Sequence, residues 1–319
     1  MNKDKISFNL MLSLFWIVVV GFLTYAYIQQ SSSVARLKSQ VSSLKTQVSR
    51  KADTTLACRV SGGWKAGQFS RYSIQVEGME RSSILHLPKD FVRGQYYPVV
   101  FFYVGKGGDA MQGAYKYNVN DLPAIVVYGE PLVGRDGVTA WDGAPYESSA
   151  DDIAYTSALI GRLKQDLCIN QSRIYAVGMS NGGGFAAYMS CKAPGQFAAI
   201  AIISGAMYPP ENDCNPQQQV PILNVHGTAD TVIPYGGWEA RKLPPIDNWM
   251  GMRAKYAGCE AKPYTREPTQ NFTETVWNKC HKGVEIQNIR VNGGVHAWGN
   301  VSNDVIWRFL WQFSLPPQH

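Results

Sequence analysis

Residues 173–187, RIYAVGMSNGGGFAA, constrain the fold of this chain more than any other segment. A β-branched and aromatic run ends in Gly178-Met179-Ser180-Asn181-Gly182, and two more glycines lead into an alanine-rich stretch. A strand turns this abruptly into a helix only if the residues flanking the turn are small, because the two elements crowd each other there. The predicted result is a sharp elbow. It lifts the Ser180 hydroxyl to the carboxyl end of a strand and sets it beside a helix N-terminus.

The alternation continues along residues 58–319. Strands are predicted at 84–87, 99–104, 125–128, 173–177, 199–204, 222–226 and 284–291. The middle runs are apolar throughout, as expected of parallel strands covered on both faces. Residues 151–167 place Ile153, Thr156, Ile160, Leu163 and Leu167 on one helical face, with Asp151 and Asp152 at the favourable end of the helix dipole. A closing helix is predicted at 304–313. Strand–helix alternation of this kind predicts one α/β domain, a three-layer sandwich around a mostly parallel sheet.

Charge and cysteine place that domain. Lys and Arg exceed Asp and Glu by six, but residues 1–57 hold seven bases and two acids, so the body is near neutral. A near-neutral body has no basic face to neutralise phosphates, which argues against nucleic-acid binding. Mean hydropathy of −0.18 excludes a multi-span membrane protein. Residues 6–28 are nevertheless uncharged and long enough as a helix to cross a bilayer, so residues 1–28 are expected to be an N-terminal membrane anchor. A cleaved signal peptide is the competing reading, and it would leave the body secreted.

Val34, Leu37, Val41, Leu44 and Val48 then fall at spacings of 3, 4, 3 and 4, so residues 29–57 read as a short coiled-coil-like stalk or a monomeric helical spacer. The first alternative would make the chain a homodimer. All six cysteines (Cys58, Cys168, Cys191, Cys214, Cys259, Cys280) lie beyond the anchor. An even number on one side fits disulfides in an oxidising, extracytoplasmic compartment, although spacing cannot choose the pairing. No Cys-x-x-Cys or His-rich cluster offers a metal site, and no cofactor is expected.

A serine nucleophile needs a base and an acid, and in sheets of this type they follow in the order serine, acid, histidine. Of five histidines, His86 and His226 precede the acid position and His319 ends the chain. His281 adjoins Cys280 in a polar stretch and reads as a surface residue. His296 follows the last strand in a loop containing Gly293 and Gly294, and is the expected base. Asp230, just past the strand at 222–226, is the expected acid, with His226 a packed structural residue. Donors to a developing oxyanion are expected from the backbone N–H groups of Asn181 and of the loop Gly105-Lys106-Gly107-Gly108.

These segments together resemble the carbohydrate esterases that include feruloyl esterases, acetyl xylan esterases and polyhydroxybutyrate depolymerase-like α/β-hydrolases. The fungal-type feruloyl esterases are nearest. The resemblance is carried by Ser180-Asn181-Gly182-Gly183-Gly184-Phe185, by Ser204-Gly205-Ala206-Met207-Tyr208, by His226-Gly227-Thr228-Ala229-Asp230 running on to Gly237, and by His296-Ala297-Trp298. It implies Ser180, Asp230 and His296 as a triad, and Asn181 and Lys106 as the oxyanion-hole donors. It also implies bridges Cys168–Cys191 and Cys259–Cys280, leaving Cys58–Cys214.

The chain departs from the family pattern in Val104 where relatives carry His, in Gly299 where they carry Pro, and in the anchor-like N-terminus. The implied substrate is a hydroxycinnamoyl ester on plant-type polysaccharide, with acetyl xylan or a short polyester as the alternatives. Trp298, Trp249 and Trp141, with Tyr146 and Trp238, are candidates to stack on an aromatic acyl group or a sugar. A retired hydrolase serving as a tethered glycan-binding module is the competing function class, and the intact Ser, Asp and His argue against it.

Overall fold

The computed structural model describes residues 58, 60–208, 214, 219–266 and 271–316, within the compact unit Cys58–His319. The segments read above as anchor and stalk lie outside the described residues. Among those described, no helix is long and apolar enough to cross a membrane.

Among the described residues twelve strands and five α-helices follow in the order β1 (Phe69–Val76), β2 (Met79–His86), β3 (Tyr97–Tyr103), α1 (Ala110–Lys116), β4 (Ile125–Gly129), β5 (Leu132–Val133), β6 (Thr139–Ala140), α2 (Asp152–Asp166), β7 (Ile169–Met179), α3 (Asn181–Lys192), β8 (Ala199–Ile203), β9 (Ile222–Gly227), α4 (Ile246–Tyr256), β10 (Tyr264–Arg266), β11 (Phe272–Trp277), β12 (Ile286–Val291) and α5 (Asn303–Leu310). Ten strands form one sheet in the order β1-β2-β4-β3-β7-β8-β9-β12-β11-β10. The six from β4 to β12 in that order run parallel, and an antiparallel pair extends each end.

Period-two alternation along the central strands divides the core into two layers. Val99, Phe101 and Tyr103 of β3 face a layer closed by Leu163 of α2, Phe185 and Met189 of α3 and Met250 of α4. Val100 and Phe102 face the layer closed by Ala110 and Ala114 of α1 and by Ile306, Phe309 and Leu310 of α5. This is the predicted three-layer sandwich. The antiparallel strands β1, β10 and β11 lie outside the sequence expectation, which follows unbroken apolar runs: β1 buries only Tyr72, and β10 is exposed throughout.

The disulfides correct the expected pairing. Cys58 joins Cys168, Cys191 joins Cys214, and only Cys259–Cys280 is as the resemblance implied. Ser61 explains the first: its N–H donates to Asp166 O at 3.0 Å and its hydroxyl to Asp166 Oδ1 at 3.0 Å, which pins the chain's entry beside the start of β7. Cys58 thereby reaches Cys168, with Cα atoms 5.7 Å apart. Cys191, in the last turn of α3, meets the segment after β8, where Arg253 donates to Cys214 Sγ at 3.2 Å.

Of the two acids expected at the start of α2, only Asp151 caps it, accepting from Ala154 N at 2.7 Å. Asp152 is buried in an ion pair with Arg81 at 2.6 Å. Asp152 Oδ2 also accepts from Asp142 N at 3.1 Å, and Asp142 Oδ2 accepts from Asp152 N at 2.8 Å. Burial, and then the neighbouring Asp152 carboxylate, push Asp142 up to about 7.

A carboxyl group raised in the folded state binds a proton that the unfolded chain, titrating near 3.9, has already lost. Its contribution to stability is complete below that pH and is lost as pH rises through about 7. Asp142→Asn keeps an oxygen for Asp152 N but cannot ionise. Its melting temperature is therefore expected to fall less than that of the parent between pH 4 and 8. Parallel melting curves across that range would refute the assignment.

Candidate active site

Every group in this site hangs on the carboxyl end of a parallel strand. Ser180 follows β7 and is the N-cap of α3, at φ 56° and ψ −122°. A residue with a Cβ adopts this conformation only when its surroundings hold it there. Ser180 N donates to Ile203 O at 3.0 Å, and Ser180 O accepts from Gly184 N and Ala206 N at 3.0 and 2.9 Å. A Cβ on Gly178 would lie 2.2 Å from Gly182 O, one on Gly182 2.1 Å from Tyr103 O, and one on Gly184 2.0 Å from Ala206 O. The glycine spacing seen in the sequence is thus a record of three backbone contacts.

Asp230, after β9, is 4% exposed, and four nitrogens surround its carboxylate. Oδ1 takes the N–H groups of Val232 and Ile233 at 2.9 and 2.8 Å. Oδ2 lies 2.8 Å from His296 Nδ1 and 3.3 Å from His226 Nε2. Burial alone would raise this carboxyl group, but the hydrogen bonds from His226, His296 and Ile233 outweigh it and hold it well below the usual carboxylate range.

His226 Nε2 is also 2.8 Å from Ile233 O, an acceptor, which assigns the proton to Nε2. The sequence reading of His226 as buried and structural is correct about its burial but missed its contact with the acid. Its position four residues before Asp230 was the available signal.

His296 lies in the loop from β12 to α5, its side chain 16% exposed. Ala229 N donates to Gly294 O at 2.9 Å and Gly293 N to Thr228 Oγ1 at 2.8 Å, stitching this loop to the one that carries Asp230. A Cβ on Gly227 would meet Gly294 O at 2.1 Å, so the two backbones touch. His281 sits in an exposed turn elsewhere, as expected.

The loop after β3 passes directly over the serine, since a Cβ on Gly105 would be 3.1 Å from Ser180 Cβ. Gly107 N and Gly108 N are bonded to Thr139 O and Gly105 O. Lys106 N makes no hydrogen bond among the described residues, and Asn181 N is one of the four donors that every helix start leaves open. The Lys106 ammonium pairs with Asp136 and stands 4.1 Å from the Tyr146 ring. Val104 is buried in the core layer under this loop.

Two of the aromatic candidates, Trp141 and Trp249, are corrected. Trp141 is fully buried and Trp249 is 4% exposed. Trp298 packs edge-on to Phe102 and Tyr117 and donates from Nε1 to Asn303 Oδ1 at 3.1 Å. The rings of Trp141 and Trp249 are spent on the core, whereas Trp298 is half-buried against it. Trp238 is 44% exposed, with the Arg241 guanidinium 5.0 Å from its ring. Arg241 donates in turn to Val232 O and Tyr208 Oη at 3.0 Å each, and Tyr208 packs edge-on to Tyr146. Sequence spacing gave no sign that these loops meet.

A doubly wound sheet with an elbow after its central strand, and with an acid and a histidine following in that order, defines an α/β-hydrolase. Residues 146–246 match the phospholipase/carboxylesterase family model. The chain is 33% identical over 247 residues to a probable feruloyl esterase C of Aspergillus flavus, covering 72% of this chain and 84% of that one. It belongs to the feruloyl esterase family. It is also 31% identical over 258 residues to feruloyl esterase B of Piromyces equi, covering 74% of this chain but only 46% of the relative. A bifunctional acetylxylan esterase/xylanase of Neocallimastix patriciarum is 28% identical over 192 residues, and the chain spans 27% of its length. Among solved structures, an acetyl xylan esterase from Aspergillus awamori superposes with a TM-score of 0.57 at 15% identity, over 76% of this chain and 99% of that one, which shows the common fold.

Proposed function

We propose that this chain is a serine esterase that hydrolyses hydroxycinnamoyl esters carried on polysaccharide. The observation that carries the reading is the 2.8 Å contact between His296 Nδ1 and Asp230 Oδ2, formed at the same sheet edge as the strained Ser180. Asp230 holds the Nδ1–H tautomer of His296, so that Nε2 is the free basic nitrogen. Ser180 Oγ attacks the ester carbonyl as His296 Nε2 takes its proton, and the Asn181 and Lys106 N–H groups receive the oxyanion. The imidazolium returns that proton to the departing alcohol. Water then attacks the acyl-enzyme with His296 again as base, releasing the acid and restoring Ser180.

The hydroxycinnamoyl preference rests on kinship with the named feruloyl esterases. The full chain is expected to hydrolyse methyl ferulate faster than a short-chain acetyl ester. Faster turnover of the acetyl ester would move the substrate to acetylated glycans or polyesters. No turnover of either by folded protein would overturn the esterase reading in favour of a binding module.

The sequence of residues 6–28 and the placement of every cysteine beyond it support a body tethered outside the cytoplasm by one span, with residues 29–57 as a stalk able to pair two copies. A tethered chain stays with the membrane pellet after alkaline carbonate washing. Recovery of shortened protein from the medium would show a cleaved signal instead.

A further inference from the structure

We propose that Trp141 is a positioning residue that fixes the distance between the two backbone donors of the oxyanion hole; the inference rests on the esterase reading above. Trp141 follows β6 and is fully buried. Both its N–H donors are directed at the site. Its backbone N–H donates to Asn181 Oδ1 at 2.8 Å, and its indole Nε1–H donates to Val104 O at 2.9 Å. One bond therefore ends on the side chain of the residue that supplies the first donor. The other ends two residues before Lys106, which supplies the second.

The same short strand fastens the far side of the Lys106 loop. Thr139 O accepts from Gly107 N at 2.8 Å, and Thr139 Oγ1 donates to Gly108 O at 2.7 Å. The Lys106 N–H is thus held from both directions by residues 139–141. The indole itself has no room to shift. It lies nearly parallel to Phe185 of α3, at 12° and 5.2 Å between ring centres, and edge-on to Tyr103 of β3 at 5.1 Å. On another side, a Cβ on Gly129 would be 2.7 Å from it. The ring is a rigid spacer between the strand that ends in the oxyanion loop and the helix that begins at Asn181.

Oxyanion donors work by standing about 2.7–3.1 Å from where charge will develop, so a small loss of register weakens the transition state more than the bound ester. Trp141→Phe keeps an aromatic ring but removes the Nε1–H, freeing Val104 O and the peptides that follow it. Asn181→Ala keeps the backbone donor and removes the other anchor. Each variant is expected to lower kcat about 10- to 100-fold with KM within about twofold. Affinity for an arylboronic acid, which becomes a tetrahedral anion on Ser180, is expected to fall in parallel with kcat.

Phe197→Leu serves as the packing control. Phe197 is buried in the same core layer, where it packs edge-on to Phe101 of β3, so it is expected to lower the melting temperature while kcat stays within twofold. If Trp141→Phe is destabilised like the control but keeps its kcat and boronate affinity, Trp141 is core packing and the proposal fails. If Trp141→Phe does not fold, unchanged kcat in Asn181→Ala refutes it equally. Parent protein that neither turns over esters nor binds the boronate would sink the esterase reading and the inference with it.

Discussion

Replacing Ser180 by alanine is expected to lower kcat for ester hydrolysis by roughly 10⁴- to 10⁶-fold, and to leave the melting temperature close to that of the parent. The two halves of this result have separate causes. Alanine removes the only atom that can form the acyl-enzyme, but it keeps a Cβ at φ 56° and ψ −122°, so the conformational cost of the elbow is unchanged. Ser180→Gly separates them further. It is equally inactive, yet glycine enters this region without steric penalty. Relief of backbone strain is worth about 1–3 kcal/mol, and the extra freedom of an unfolded glycine gives back up to ~1. For a domain of this size the balance is a rise of about 2–4 °C per kcal/mol. Kinetics with methyl ferulate, beside thermal melts of the three proteins, test both halves. A Ser180→Ala protein retaining a tenth of the parent rate would remove Ser180 from the mechanism. A Ser180→Gly protein that melts lower than the parent would show that no strain is stored there.

The elbow was legible in the sequence because its glycines answer to backbone atoms of the same motif and of the adjoining strand. The contact between Gly178 and Gly182, and that between Gly182 and Tyr103, are short-range demands that any chain with this turn must meet. The central strands were legible for a similar reason, since burial on both faces leaves an unbroken apolar run. What was not legible depends on tertiary placement. Cys168 and Cys191 flank the same strand–helix unit, yet each is claimed by a segment delivered from elsewhere, residue 58 on one side and residue 214 on the other. Trp141, Trp249 and Trp298 carry nothing in their spacing that separates a stacking platform from a core residue. β1 buries only Tyr72 and has no unbroken apolar run to announce it, although its alternation was a strand signal and Glu77 and Gly78, both at positive φ, make the two-residue hairpin turn that pairs it with β2.

Asp230→Asn is expected to lower kcat about 10⁴-fold while KM changes far less, although asparagine fills nearly the same space. The reason lies in how the four donors around Asp230 are divided. Oδ1 faces two backbone N–H groups, those of Val232 and Ile233, which cannot change their role. An asparagine must therefore set its single oxygen there and turn its NH₂ toward the position of Oδ2. That NH₂ would face His226 Nε2–H, a donor already committed to Ile233 O, and His296 Nδ1. Only His296 can adapt, by giving up its Nδ1 proton and accepting instead. The proton then resides on Nε2, the nitrogen that must be bare to take the proton of Ser180. The imidazole stays in place with the wrong tautomer, so binding survives and the chemical step does not. Asp230→Ala distinguishes this from simple loss of a contact. It leaves His296 without a partner but free to hold its proton on either nitrogen, so it is expected to retain more activity than Asp230→Asn. If the alanine variant proves the slower of the two, orientation of the ring rather than its tautomer is what Asp230 supplies.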